Sequence, residues 1–264
     1  MCRSDRMLGG KMARQIDLNS DLGEGYGPWS MGDDAAMLQI VTSANIACGG
    51  HASDPDHMVQ TIQTAMANGV SLGAHPGYDD KPGFGRRVIP MEPEQIGRMV
   101  VAQVGAFAAL AQLAGGKVAY VKAHGALANY VAANRPVADA MVAAIGNAFP
   151  GLPILAISGT EVEKSCKDKG VTVFSEIFAD RGYQPNGQLV PRGQDGAMIT
   201  DPGQAADRLI AFLDSGLMPV VSGDPIELNA HSICVHGDSA HAVGMAREIH
   251  QRLTAHGITI KRFT

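Results

Sequence analysis

Four apolar stretches of this sequence finish in a histidine with glycine close by. ANIACGGH ends at His51, VSLGAHPG carries His75, AYVKAHGAL carries Lys122 and His124, and SICVHGD carries His236. Imidazole changes charge near neutral pH and is the commonest metal ligand, so its recurrence at the ends of apolar runs suggests chemistry. Side chains on a strand alternate between two faces, and that parity adds acids and amides. Asp17, Asn19 and Asp21 share a face opposite Ile16, Leu18 and Leu22. Ser43 pairs with Asn45, Glu176 with Phe178 and Asp180, Lys122 with His124, and Cys234 with His236. Ten residues are thus expected to converge on one cavity: Asp17, Asn19, Asp21, Asn45, His51, His75, Lys122, His124, Glu176 and His236. Each alone reads equally well as a satisfied polar group of the core, because a buried charge needs a partner. The whole set reads better as a functional site, where ionisable groups concentrate.

The chemistry suggested is hydrolytic. Histidines and aspartates from separate strands can hold a divalent metal that polarises a carbonyl or activates water. They can equally act as general acid and base without metal. No HExxH helix is present, and spacing leaves that choice open. Lys122 is a substrate anchor, a partner for a carboxylate, or a general acid. Two loops add cations. GAHPGYDDKPGFGRR places Arg86 and Arg87 near His75, a pairing suited to carboxylate or phosphate or else a solvated basic loop. DRGYQPNGQLVPRGQDGAMI, with Arg181, Tyr183 and Arg192, is expected to fold as a lid or hairpin over the mouth. His57, His241, His250 and His256 fall on helical stretches and are assigned to surface or packing roles.

Strand-like and helix-like stretches alternate along the chain. QIDLNSDL, a segment within LQIVTSANIAC, VSLGAHP, VAYVKAHG, PILAIS, VTVFSEIFA and SICVHGD read as strands, with ITIKRF as a short last one. Helices lie between them. DPDHMVQTIQTAMANG has Asp54 as N-cap, Pro55 in the first turn and Gly69 at its end. About seven or eight β/α repeats with no linker predict a single domain over 14–264, either a closed (β/α) barrel or an open doubly wound sheet. No GxGxxG or P-loop follows the first strand, which favours the barrel. Barrel enzymes collect their chemistry at the C-terminal ends of the strands, where these histidines lie.

Composition agrees. The 264 residues are 45% hydrophobic and 18% charged, enough for a large core. Only 5% are aromatic and 32 are glycine, which suits tight helix–sheet packing. A net charge of −5 without a basic run predicts no nucleic-acid partner. No run is expected to span a membrane. The cysteines, Cys2, Cys48, Cys166 and Cys234, form no CxxC pair and are expected to be reduced, in keeping with the cytoplasm. Residues 1–13 lack a signal peptide's apolar stretch and read as a flexible tail, with Met12 an equally good start.

Motifs from about Ile16 to Asp238 resemble the LamB/YcsF family: IDLNSDLGEGYG, SANIACGGHASDP, GAHPGYDD with GFGRR, VKAHGALAN, EIFADRGY, LVPRG and ICVHGD. One departure is Ser20, where many relatives carry cysteine, so a thiol there is not expected to be essential. The resemblance implies a (β/α) barrel related to the glycoside hydrolase/deacetylase barrel, distorted and often seven-stranded. It also implies ATP-dependent hydrolysis of 5-oxo-L-proline to L-glutamate with two partner subunits, PxpB and PxpC. Without a P-loop in this chain, ATP is expected to be bound by the partners. On that reading Asp21 is a base or metal ligand, and His51 and His124 are metal ligands or acid/base groups. Glu176 joins Asp21, Lys122 and His124 as a catalytic candidate, supported by His75. Lys122, Arg86 and Arg181 hold anionic groups, and Asn19, Asn45, His75 and His236 are further substrate-binding candidates. The deacetylase kinship implies a divalent metal on Asp21, His51 and His124. The rival readings are a stand-alone metal-dependent carbohydrate deacetylase or amidohydrolase, and a non-enzymatic binding subunit. Self-association is compatible with either.

Overall fold

The computed structural model describes residues 15–237 and 241–264. The expected tail over 1–13, Cys2 and Asp238 lie outside the described residues. In chain order the elements begin β1 (Gln15–Leu22), α1 (Asp34–Met37), β2 (Ser43–Ala47), α2 (Pro55–Ala67), β3 (Ser71–His75), α3 (Pro93–Leu113) and β4 (Val118–Val121). They continue α4 (Gly125–Ala133), α5 (Arg135–Ala148), β5 (Ile154–Ile157), α6 (Glu161–Lys169), β6 (Val173–Phe178) and α7 (Pro202–Ser215). The last are β7 (Leu217–Met218), β8 (Ile226–Glu227), β9 (Ser232–Cys234), α8 (Ala242–Ala255) and β10 (Thr259–Ile260).

β1 to β6 and β9 pair in parallel, and β9 returns to β1 through Asp17↔Ser232 and Asn19↔Cys234, so seven strands close a barrel. The expected barrel, seven-stranded and distorted, is therefore present. β10 only extends the start of β1, and β7 and β8 form a small separate hairpin. The distortion flanks β4: the β3–β4 register shifts between Leu72 and Gly73, and the β4–β5 ladder consists of the single pair Val121↔Ile154. The helices pack outside on a core that includes Leu18, Ile46, Ile62, Val100, Phe107 and Ile177.

Local chemistry sets the helix ends. Asp54 accepts from the amides of Asp56 and His57 ahead of Pro55, as its N-cap position requires. Asn134 and Asp201 cap α5 and α7 in the same way. α3 corrects one expectation: its 21 residues include an 18-residue stretch of mean hydropathy 1.5, long and apolar enough to cross a membrane. It is an alanine-rich helix whose Ile96, Val100, Val104, Phe107 and Ala111 have no exposed surface, packed toward α5 and the β3–β4 wall.

The barrel interior is polar instead of filled with branched aliphatics. At its base the Phe263 ring lies 5.0 Å from Tyr120 and 4.7 Å from Phe174. Above that plug, Asp17 accepts from Ser232, from Thr42 at 2.6 Å and from Ser43 at 2.7 Å. Burial raises its pKa, and these hydroxyls work against that rise. Asn19 donates to Ser232 at 2.6 Å, Asn45 to Asn19 at 2.7 Å, and Tyr120 to Asn45 at 2.6 Å. This ladder satisfies groups that would otherwise destabilise the core and carries the inward face of β1 up to the mouth.

Candidate active site

At the C-terminal mouth of the barrel, Lys122 sits just past β4 between two acids. Its ammonium is 2.9 Å from Asp21 Oδ1 and 2.8 Å from Glu176 Oε1, and it also reaches Asn19 Oδ1 at 3.2 Å and Cys234 Sγ at 3.2 Å. Burial works against the ammonium, but the attraction of Asp21 and its other neighbours outweighs it and holds the Lys122 pKa well above the usual range. For Asp21, burial is likewise outweighed, by His75 and Lys122, and the carboxyl is held well below its ordinary value. Glu176 differs. Burial dominates over Lys122 and raises its pKa, and the oxygen facing Lys122 makes no hydrogen bond of good geometry. One carboxylate is thus firmly ionised, while its neighbour holds a proton more readily.

Beside this group lie three imidazoles and a fourth acid. Glu24 Oε1 is 3.1 Å from His51 Nε2 and 3.7 Å from His124 Nε2. His51 and His124 stack with ring centroids 3.6 Å apart, and His75 meets both edge-on. His75 Nδ1 donates to the Lys122 carbonyl at 2.8 Å, and its Nε2 lies 3.4 Å from Asp21 Oδ2. Burial first, and then His75, hold His51 well below its usual pKa; for His124 burial is followed by His51 and His75. Both rings are therefore neutral near pH 7. His51 Nδ1, His75 Nε2 and His124 Nδ1 are buried without a hydrogen-bond partner. The unpartnered His75 Nε2, with the Nε2 atoms of His51 and His124 that face the Glu24 carboxylate, makes a donor set that fits a divalent transition metal.

Phe84 packs edge-on against His51 and His124, with the Arg86 guanidinium 5.0 Å above its ring. Its φ of 52° is left-handed, a conformation that costs an aromatic residue about 1–3 kcal/mol and survives only where packing enforces it. On the far side His236 Nδ1 is 2.7 Å from Asp180 Oδ2, and the His236 ring stacks on Phe178.

These groups line a cavity of about 630 Å3, in the range of small-molecule sites. Of the sequence candidates, Asp21, His75, Arg86, Lys122, His124, Glu176, Arg181 and His236 line it. Asp17, Asn19 and Asn45 do not: they are fully buried beneath it, their polar groups engaged in the interior ladder, so they position other groups instead of touching a ligand. His51 lies behind His124 and outside the lining. Arg181 donates to the carbonyls of Val190 at 2.6 Å and Ala197 at 3.1 Å, so it braces the following loop more than it offers a free cation. Arg87 is bound to Asp80, leaving Arg86 as the member of that pair at the cavity. The 181–198 stretch does form a hairpin, with bridges Tyr183↔Leu189 and Arg181↔Met198, and Leu189 to Arg192 wall the mouth. Ser20 donates to the Val235 carbonyl at 2.7 Å, a seam bond between β1 and the end of β9. Asp21 stands outside the tightest imidazole cluster, and Glu24 stands inside it. Sequence parity missed Glu24 because Gly23, at φ 68°, breaks the alternation after β1. The signal available was an acid directly after a strand-end glycine.

The sequence profile of the LamB/YcsF family matches residues 16–264. The A-subunit of 5-oxoprolinase from Gluconobacter oxydans is 46% identical over 252 residues, 96% of this chain and 99% of that one. The protein of the same name from Nocardia farcinica is 48% identical, covering 94% and 99%. Among solved structures, the lactam utilization protein from Thermus thermophilus matches with a TM-score of 0.89 and 36% identity, over 94% of this chain and 100% of that one. The pneumococcal virulence factor StrH matches at 10% identity and a TM-score of 0.50, over 92% and 83%, a likeness of fold alone.

Proposed function

Since the chain belongs to the LamB/YcsF family, we propose that it is the hydrolytic subunit of a 5-oxoprolinase, opening the lactam of 5-oxo-L-proline to L-glutamate within a multi-subunit enzyme. The observation that carries this reading is the Asp21–Lys122–Glu176 group at the cavity floor. It occurs in a chain 46–48% identical, over nearly full lengths, to proteins named for that subunit.

The chemistry sets the requirements. A lactam resists water because its amide is resonance-stabilised, and transfer of the ATP γ-phosphoryl group to its carbonyl oxygen by partner subunits of the PxpB and PxpC type would make the carbon electrophilic; ring opening by water then leaves an acyl phosphate, which a second water hydrolyses to glutamate and inorganic phosphate. This chain then supplies the hydrolytic half. Asp21, ionised and open to the cavity, orients the attacking water and takes its proton as oxygen bonds to the carbonyl carbon. Lys122, fixed between its acids, offers positive charge to the oxygen that becomes negative. Glu176 gives its proton to the ring nitrogen as the carbon–nitrogen bond breaks. Arg86 and His236, on opposite sides of the mouth, hold the substrate's carboxylate. A divalent ion on the nearby Glu24 and imidazole donors would add polarisation of the carbonyl.

The test is reconstitution. The purified chain is mixed with its partner subunits, ATP and 5-oxoproline, and glutamate is measured. Glutamate should require every component and fall to background with Glu176→Gln. Turnover of acetylated sugars by the chain alone, with no glutamate in the mixture, would instead favour a stand-alone deacetylase.

A further inference from the structure

Glu24, His51, His75 and His124 each bring a metal-binding atom within 4.8 Å of the others, and all four are buried. We infer that Glu24, His75 and His124 bind one divalent transition-metal ion on the cavity side of this cluster. His51 supports Glu24 from behind, and Asp21 is not a ligand. This assignment stands independently of the substrate.

The tautomer of His75 is fixed. A carbonyl only accepts, so Nδ1 carries the proton given to Lys122 O at 2.8 Å, and Nε2 is the ring atom left to meet a metal. That nitrogen is buried, makes no hydrogen bond of good geometry, and faces Asp21 Oδ2 at 3.4 Å. A ring N–H anchored on a backbone carbonyl is the outer-shell contact that metal-bound histidines make.

His51 and His124 cannot both bind the same ion as they stand. Their rings are stacked 3.6 Å apart and tilted by only 9°, so their lone pairs lie in nearly parallel planes. An ion about 2.1 Å from one nitrogen, in the plane of its ring, lies well outside the plane of the other. The stacked pair therefore supplies one ligand. Glu24, His75 and His124 line the cavity, where an ion and water enter, and His51 does not. Glu24 Oε1 and His124 Nε2 are 3.7 Å apart, near the ~3.4 Å that two ligands on one tetrahedral ion require. The 3.1 Å contact from His51 Nε2 to the same carboxylate is then a hydrogen bond that orients a ligand. Asp21 lies outside this group; Lys122 and Asn45 both hold its Oδ1, and an ammonium 2.9 Å away opposes a second cation on that carboxylate, even with Oδ2 3.4 Å from His75 Nε2. Two imidazoles and one carboxylate, with positions left open, suit zinc, cobalt, iron or manganese better than the all-oxygen preference of calcium or magnesium.

The experiment loads the chelator-stripped full-length chain with Co2+ and follows visible absorption and bound metal per chain. One cobalt per chain with a ligand-field band is expected. Glu24→Gln and His75→Gln should each weaken binding by about a hundredfold or more, and His51→Ala by about tenfold. Asp21→Asn should stay within about tenfold of the parent, since it removes only a neighbouring charge. Each variant's circular dichroism is compared with the parent, and the two independent ligand variants guard against one that misfolds. Binding undiminished in the folded Glu24→Gln/His75→Gln double variant would place the metal on surface histidines and overturn the site. Absence of binding at millimolar cobalt would do the same. A loss with Asp21→Asn as large as with His75→Gln would overturn the ligand set.

Discussion

Lys122 is surrounded by acceptors, and its removal has two separable effects. Lys122→Met leaves Asp21 buried beside His75 with no permanent counter-charge, a change that costs about 3–5 kcal/mol in comparable buried pairs. Denaturant unfolding should register that loss, and the reconstituted enzyme should form no glutamate. Asp21→Asn retains the shape and the bond from Asn45, so it should lower kcat by about 100–10,000-fold with a small change in KM. At this scale period-2 parity was informative: it brought Asp21, Lys122, Glu176 and His236 together from four separate stretches. It failed where the backbone leaves the strand. Glu24 follows a left-handed glycine, and Phe84 sits at positive φ in a tight loop, so neither side chain's direction could be counted from a strand.

Elements show the same division. Helices with side-chain caps, such as α2 with Asp54, were readable to within a residue or two. α4 was not, because it starts directly after His124 with no side-chain cap and with Gly125 at φ 53°. The two-residue strands β7 and β8 are too short to leave a periodic signal. Glu163 on α6 accepts from Gly159 N at 2.6 Å, Ser175 Oγ at 3.0 Å and Lys167 Nζ at 3.1 Å, tying that helix to β6. Burial is outweighed by these donors and its pKa is lowered. A lowered folded-state value contributes stability above the unfolded pKa and loses it as pH falls through the folded one. Glu163→Gln should therefore cost about 1–3 kcal/mol at pH 7, with the difference from the parent shrinking below about pH 4 in pH-resolved denaturant melts. On β3, a side chain at Gly73 would overlap the Tyr120 ring. Gly73→Ala should displace that ring from Asn45 and destabilise the fold by about 1–3 kcal/mol, read as a lower midpoint of unfolding.

At the scale of the whole molecule, the repeat count left seven or eight strands open, because closure depends on a pairing between residues more than two hundred positions apart. Asp17↔Ser232 and the Ser20–Val235 bond make that closure, and no local pattern announces either. The weakest seam is elsewhere, at β4–β5, with its single ladder pair. Hydrogen exchange followed by mass spectrometry should find the β5 amides less protected than those of β2, which is paired along its length on both sides.

Arg208 binds the carbonyls of Phe178, Ala179 and Arg181, each at 2.7 Å, where the chain leaves β6. Swinging that side of the mouth away would strand a guanidinium in the interior, so it behaves as a fixed jamb. Across the mouth the rim is open instead of braced: Arg86 and Val88 line the cavity and face solvent, so a ligand meets there the side that, among the described residues, has no such clamp.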